Sequence, residues 1–300
     1  MNCSASRPVP SRNDPHDSTQ KYSSKHERMR SIKGQRLGGT AVDSHGEQVP
    51  FEVLSAFVER YKGAKQPLNQ AHDLRMRSVG YIENFRLAPD PLQSGEWILI
   101  GDVYYDTENL EVALGGFSIS YLEMARVCTG SQQLIVYLPF PYYNDDELTE
   151  ELVSTNTSVG KWVKKAANPT VIAMIGATIV FAIKPVWEDL YKAKVAPVIY
   201  EFFASHYKKL EEKRISADVV QTVSYKGREI QVVLIPIRGK ESSCFSVVHL
   251  DRAMQLVSEL LCGPGRSDEI VRIHLYFHDE AAGFQLDRSE SVTGDVQYYA

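Results

Sequence analysis

The strand-like run "LGGFSISYLE", residues 114–123, sets Ser118 and Ser120 on one face and Phe117, Ile119 and Tyr121 on the other. A serine hydroxyl held on a strand does chemistry only with a base in hydrogen-bond reach. Neutral imidazole is the commonest one, because it titrates near working pH. Two histidines of the first globular domain precede the run. His45 lies in the turn cluster "DSHGE", where a solvated ring is the ordinary reading. His72 lies in "PLNQAHDLRMRSVGYI", a polar segment leading into a strand, so Ser118 and His72 are the candidate nucleophile and base of acyl-transfer chemistry. The four cysteines, Cys3, Cys128, Cys244 and Cys262, show neither CxxC spacing nor a neighbouring histidine at ligand spacing. Neither a zinc site nor a disulfide framework is expected, and a reducing, cytoplasmic compartment is. The glycines of "CGPGR" do not stand between a strand and a helix, so they cradle no phosphate; no cofactor and no metal are implied.

The elements that must position these residues follow from local pattern. Phe51, Leu54, Phe57, Val58 and Tyr61 recur at helical spacing after Pro50. "SVGYIENFRL" and "EWILIGDVYY" are strands joined by the loop "APDPLQSG", "DTENLEVAL" is a short helix capped by Asp106 or Thr107, and "QQLIVYLPF" is a further strand. From Trp187 a helical pattern runs to Leu210, which Pro197 should kink or divide, forming a connector or a self-association helix and hence a homo-oligomer contact. Residues 216–300 read as a small α/β module: the hairpin "DVVQTVSY"–"KG"–"REIQVVLIPI", the helix "HLDRAMQLVSELL" with Gly263 as its C-cap, the strand "EIVRIHLYF", and one more in "AGFQLDRSES".

Composition sets the boundaries. Residues 1–35 carry seven Lys and Arg against three acidic residues and almost no aliphatics, and read as a disordered basic tail without the apolar core of a signal peptide. With +4 there and −5 for the whole 300-residue chain, the remainder carries −9, which excludes nucleic acid as the expected partner. The layout is thus a tail, a first domain over 36–145, a helical connector over 146–215 and the module at 216–300. Within the connector, "AANPTVIAMIGATIVFAI", residues 166–183, has no charge and is flanked by lysines. It divides evenly between a short membrane span and a buried helix, since a bilayer core needs about 20 apolar residues. Membrane association, if any, would run through this segment.

The order of features over residues 38–140 resembles the tailed-phage prohead serine proteases, the capsid-maturation enzymes related in fold to herpesvirus assemblins. "DSHGEQVPFEVLSAF" matches the opening turn and helix, "QAHDLRMRSVGYIENF" the histidine segment and its strand, "GEWILIGDVYYD" the next strand, and "GGFSISY" the serine strand. The resemblance implies an α+β fold whose protease domain is mainly antiparallel and β-barrel-like, with short helices. It puts His72 on the base and Ser118 on the nucleophile, and the position of the family's orienting acid falls on Gln133. Ser120 stands where the family has glycine and adds a side chain beside the nucleophile. Gln133 can hold the ring by a hydrogen bond but cannot stabilise imidazolium by charge; Asp73 and Glu123 are the substitutes for that task. The implied activity is a serine endopeptidase acting on a protein or peptide substrate. Two other readings stand beside it: a non-catalytic binding or scaffolding protein on the same fold, and a membrane-anchored signalling protein with a C-terminal sensor.

Overall fold

The computed structural model describes residues 29–42, 48–70, 73–109, 134–139, 141–154, 156–162, 172–182, 187–264 and 269–299. The first sheet is built from β1 (Met29–Gly39), β2 (Gln66–Pro67), β3 (Gly80–Pro89) and β4 (Trp97–Asp106), in the order β1-β4-β3-β2 and antiparallel throughout. Helix α1 (Phe51–Arg60) starts directly after Pro50 with Glu52 in its first turn and Arg60 in its last, the charge order its dipole favours. It buries Leu54 and Phe57 against Leu37, Ile82, Phe85, Leu99 and Val103 of the sheet.

β1 differs from expectation. Its residues 29–35 belong to the stretch that composition assigned to a disordered tail, yet they pair with β4 from Met29↔Asp106 onward. The strand escaped notice because it lies at a sheet edge and buries only Leu37 fully, so charged side chains dominate its composition. It is bulged: Lys33 and Gly34 together oppose Asp102, and Gly34 takes φ +67°, a conformation an L side chain adopts only with strain. β3 bulges one residue further along β4, where Asn84 and Phe85 together oppose Gly101 and Asn84 has φ 57°. Asp102 clips both bulges, accepting from the Gly34 N–H at 2.9 Å and the Asn84 amide at 3.1 Å. Burial works against its charged form, but those donors and Lys33 outweigh it and hold the carboxyl at about 2.

The second sheet has eight strands: β5 (Leu134–Pro139), β6 (Thr157–Trp162), β7 (Ile172–Ala182), β8 (Ser216–Tyr225), β9 (Arg228–Ile235), β10 (Ile270–His278), β11 (Gly283–Ser291) and β12 (Val296–Tyr298), in the order β12-β11-β10-β9-β8-β7-β5-β6. Its parallel pairs are β5–β6, β7–β8 and β9–β10. Each needs a crossover, and helices supply it: α2 (Asp146–Leu152), then α3 (Trp187–Lys194) with α4 (Ala196–Glu212), then α5 (Glu241–Cys244) with α6 (Val247–Cys262). Leu148 and Leu152 of α2, Phe202 and Phe203 of α4, and Leu250, Met254 and Val257 of α6 share one core with Val136, Val219, Val232 and Ile273. All three crossovers therefore cover the same face of the sheet. The opposite face is left to other parts of the chain.

The described strands form two open sheets and no closed barrel, so the fold is mixed α+β with an architecture different from the barrel-like domain expected. β5, read as part of the first domain, hydrogen-bonds with β6 and β7 in the larger sheet. The apolar segment is a further correction: residues 172–182, read as a membrane-spanning or buried helix, form β7, an interior strand between β5 and β8. An interior strand paired on both edges can be as continuously apolar as a buried helix, which is why its sequence misleads. Among the described residues no helix is long and apolar enough to cross a membrane. Pro197 divides the helix after Trp187 as expected, lying in the first turn of α4. In the C-terminal module Lys226 and Gly227, at φ 50° and 77°, make the tight turn of the β8–β9 hairpin, and Gly263 caps α6.

Candidate functional site between the two sheets

The face of the larger sheet that carries no helix among the described residues is apolar at one end and ionic at the other. On β8, β9 and β5 it presents Val220, Val233, Ile235, Ile135 and Tyr137, which pack around Leu74. On β10 and β11 every second side chain is polar, since alternate residues share a face. Arg272 pairs with Glu290 across the two strands and His274 with Arg288, while Gln231 of β9 stands beside Arg272. Over this face folds the connection between β2 and β3, residues 73–79.

Glu290 is the hub of the ionic end and has no exposed surface. Its Oε2 accepts from Arg272 Nη1 at 3.3 Å, Ser78 Oγ at 3.0 Å and the Ser78 N–H at 3.2 Å, and its Oε1 from Arg288 Nε at 3.2 Å. Burial alone would raise this carboxyl, but Arg272, His274, Arg288 and the Ser78 hydroxyl outweigh that cost and lower it. Arg272 also donates through Nε to Gln231 at 3.0 Å. Arg288 donates to the Arg75 carbonyl, and Arg75 grips Asp218 of β8 through two hydrogen bonds, one of them Nε to Oδ2 at 2.6 Å.

His274 is equally buried, with Nε2 2.6 Å from the Leu74 carbonyl. A carbonyl can only accept, so Nε2 carries the proton and the neutral ring turns a bare Nδ1 towards Glu290 Oε1, 3.7 Å away. Burial first, with Arg288 and Arg272 adding to it, pushes this imidazole down to about 3 despite the pull of Glu290. Among the described residues Glu290 is the one carboxylate in contact with the ring, and Arg272 and Arg288 flank it, so the cluster is electrostatically unsuited to hold a metal cation. Its Arg272, His274 and Glu290 have no exposed surface, so no substrate reaches them from solvent. What it can do is fix residues 73–79 to the larger sheet.

None of the residues that spacing and resemblance singled out lies in this cluster. Ser118, His72 and Gln133, with Ser120, His45 and Glu123, lie outside the described residues. Asp73, one substitute for the orienting acid, is committed to its own turn, where its Oδ1 accepts from the Arg75 N–H at 2.9 Å. Two chain neighbours of the candidates share a cluster: Leu74, two residues beyond His72, belongs to the same apolar cluster as Ile135, two beyond Gln133. The buried residues that sequence reasoning passed over had a signal, the alternation Arg-x-His-x-Tyr in the otherwise apolar "VRIHLYF" and Arg-x-Glu in "DRSES". No family model, no curated protein and no solved structure matches the chain.

Proposed function

We propose that the chain is a serine endopeptidase in which Ser118 attacks the scissile carbonyl of an extended peptide. His72 takes the hydroxyl proton as general base and returns it to the leaving amine as general acid. The Gln133 amide orients the ring, and backbone N–H groups receive the oxyanion. The observation that carries this reading is the shared packing of Leu74 and Ile135, which brings the chain beside His72 and the chain beside Gln133 onto one face of the larger sheet. Cys244 and Cys262 are free thiols, which supports a cytoplasmic setting. A fluorophosphonate probe tests the assignment. Labelling of the folded protein that disappears in both Ser118→Ala and His72→Ala is expected, and a folded wild-type chain that takes up no label rejects it. Gln133→Glu should raise the labelling rate, because a carboxylate stabilises imidazolium and an amide does not.

A second reading, a non-catalytic binding or scaffolding protein, is favoured by a different observation. The sheets are open where a closed protease barrel was expected, and the Asp73 carboxylate is used by its own turn. An unlabelled, folded chain is the outcome this reading requires.

A further inference from the structure

Residues 73–79 belong to neither sheet, and their hold on the larger one is almost wholly polar. Leu74 is their one side chain in the apolar cluster of that face. The segment's polar attachments include the Leu74 and Arg75 carbonyls to His274 and Arg288, the Arg75 guanidinium to Asp218, and the Ser78 N–H and hydroxyl to Glu290. At its far end Val79 is buried in the core of the first sheet and bonded through its backbone to Leu68 and Asp106. The part with little apolar anchorage is therefore 73–78, which lies at the low end of local stability and can lift while the helix-covered core stays closed.

The ring that grips Leu74 is the one attachment that titrates near neutral pH once it is exposed to water. With the segment down, Nε2–H is committed to the Leu74 carbonyl, and a proton on Nδ1 would add a cation to a sealed pocket. The charged groups acting on that ring are Arg272 from β10 and Glu290 and Arg288 from β11; the Tyr276 hydroxyl, Asp287 and the Arg75 carbonyl are in turn partners of Arg288. Arg75 is balanced by Asp218 of β8, and β9 offers only the uncharged Gln231 and Val233. Two guanidiniums thus stand against the single carboxylate in contact with the ring. With the segment lifted, water reaches Nδ1 and the ring takes a proton from solvent at its ordinary affinity.

We propose that residues 73–78 form an acid-released latch: the segment is held to β10 and β11 by neutral His274, and proton uptake at His274 Nδ1 traps it open while both sheets persist. The latch stands independently of the peptidase reading, because every group it uses lies outside the Ser118–His72 pair. Amide hydrogen exchange of the full chain between pH 7.5 and 5, corrected for the intrinsic rate, tests it on peptides covering 73–78 and 228–235. Protection of 73–78 should fall towards tenfold per pH unit below about pH 6.5, the limit for one coupled proton, while β9 keeps its protection. In His274→Gln, whose side-chain N–H can still serve the Leu74 carbonyl, protection of 73–78 should not vary with pH. Ser78→Ala should lower it about tenfold at every pH and keep the wild-type slope. A pH-independent wild type, an undiminished slope in His274→Gln or a parallel loss in β9 overturns the latch. So does loss of the slope in Ser78→Ala, which decides the matter even if the glutamine variant does not fold.

Discussion

Glu290 shows how a buried charge is tolerated at the scale of a single residue. Its carboxylate is removed from water, a cost that close cations and N–H donors must offset, and Arg272, Arg288 and Ser78 do so from three directions. Taking away one member leaves the others charged and unmatched. Glu290→Ala is therefore expected to cost about 3–5 kcal/mol, read from the urea midpoint at neutral pH. Replacing opposite charges together should be milder, because no lone charge stays behind. The double variant Arg272→Met with Glu290→Met should lose clearly less than the sum of the two single changes, and strict additivity would show that the pair is not coupled. The local alternation in "DRSES" marks Glu290 and Arg288 as sharing a face, but it does not announce the Ser78 partner, which is 212 residues away in the chain.

At the scale of elements, what was legible in the sequence followed from local period, and what was not depended on partners far along the chain. The β8–β9 hairpin, the α6 helix with its Gly263 cap and the break at Pro197 each rest on a few adjacent residues, and each stands where it was read. β1 and β7 were misread for opposite reasons. β1 is a charged edge whose strand character comes from pairing with β4, and β7 is so uniformly apolar that period could not tell strand from helix. The candidate nucleophile, base and orienting amide could be singled out by order of motifs alone, while the buried cluster required the register of β10 on β11. Backbone constraints at two turns make element-scale tests. Gly34→Ala should cost about 1 kcal/mol, because its φ of +67° is strained for an L side chain. Gly294→Ala should cost more: its φ is +79°, and a Cβ there would stand 3.2 Å from the Gly80 nitrogen and 3.3 Å from the Ser78 oxygen, where the β11–β12 turn meets the end of the latch segment. Both are read by chemical denaturation, and equal costs would argue against tight contact at that turn.

At the scale of the whole molecule, the two sheets are joined through charged groups, and so their union depends on pH. The latch segment ties the first sheet to β8, β10 and β11, and Arg60 of α1 pairs with Glu229 of β9. His274 is depressed to about 3 in the folded chain from 6.5 when exposed, so between those values the unfolded chain binds a proton that the folded chain refuses. Stability must then rise with pH across that window and fall on acidification, by up to about 1.4 kcal/mol per pH unit for this one group. Glu290 acts in the same direction at lower pH: its folded carboxyl is lowered, so the stability it contributes is present above its unfolded value near 4.5 and is lost as pH falls through the folded one. The two windows separate the groups experimentally. Between pH 6.5 and 5 the carboxyl is ionised in both states, and the slope that distinguishes wild type from His274→Gln belongs to the imidazole. Urea unfolding at pH 7, 6 and 5 should show the wild type losing stability faster than the variant on acidification, with the difference growing at each step. Parallel losses would mean that exposed carboxylates and other histidines, not the sealed ring, set the acid limit of the fold.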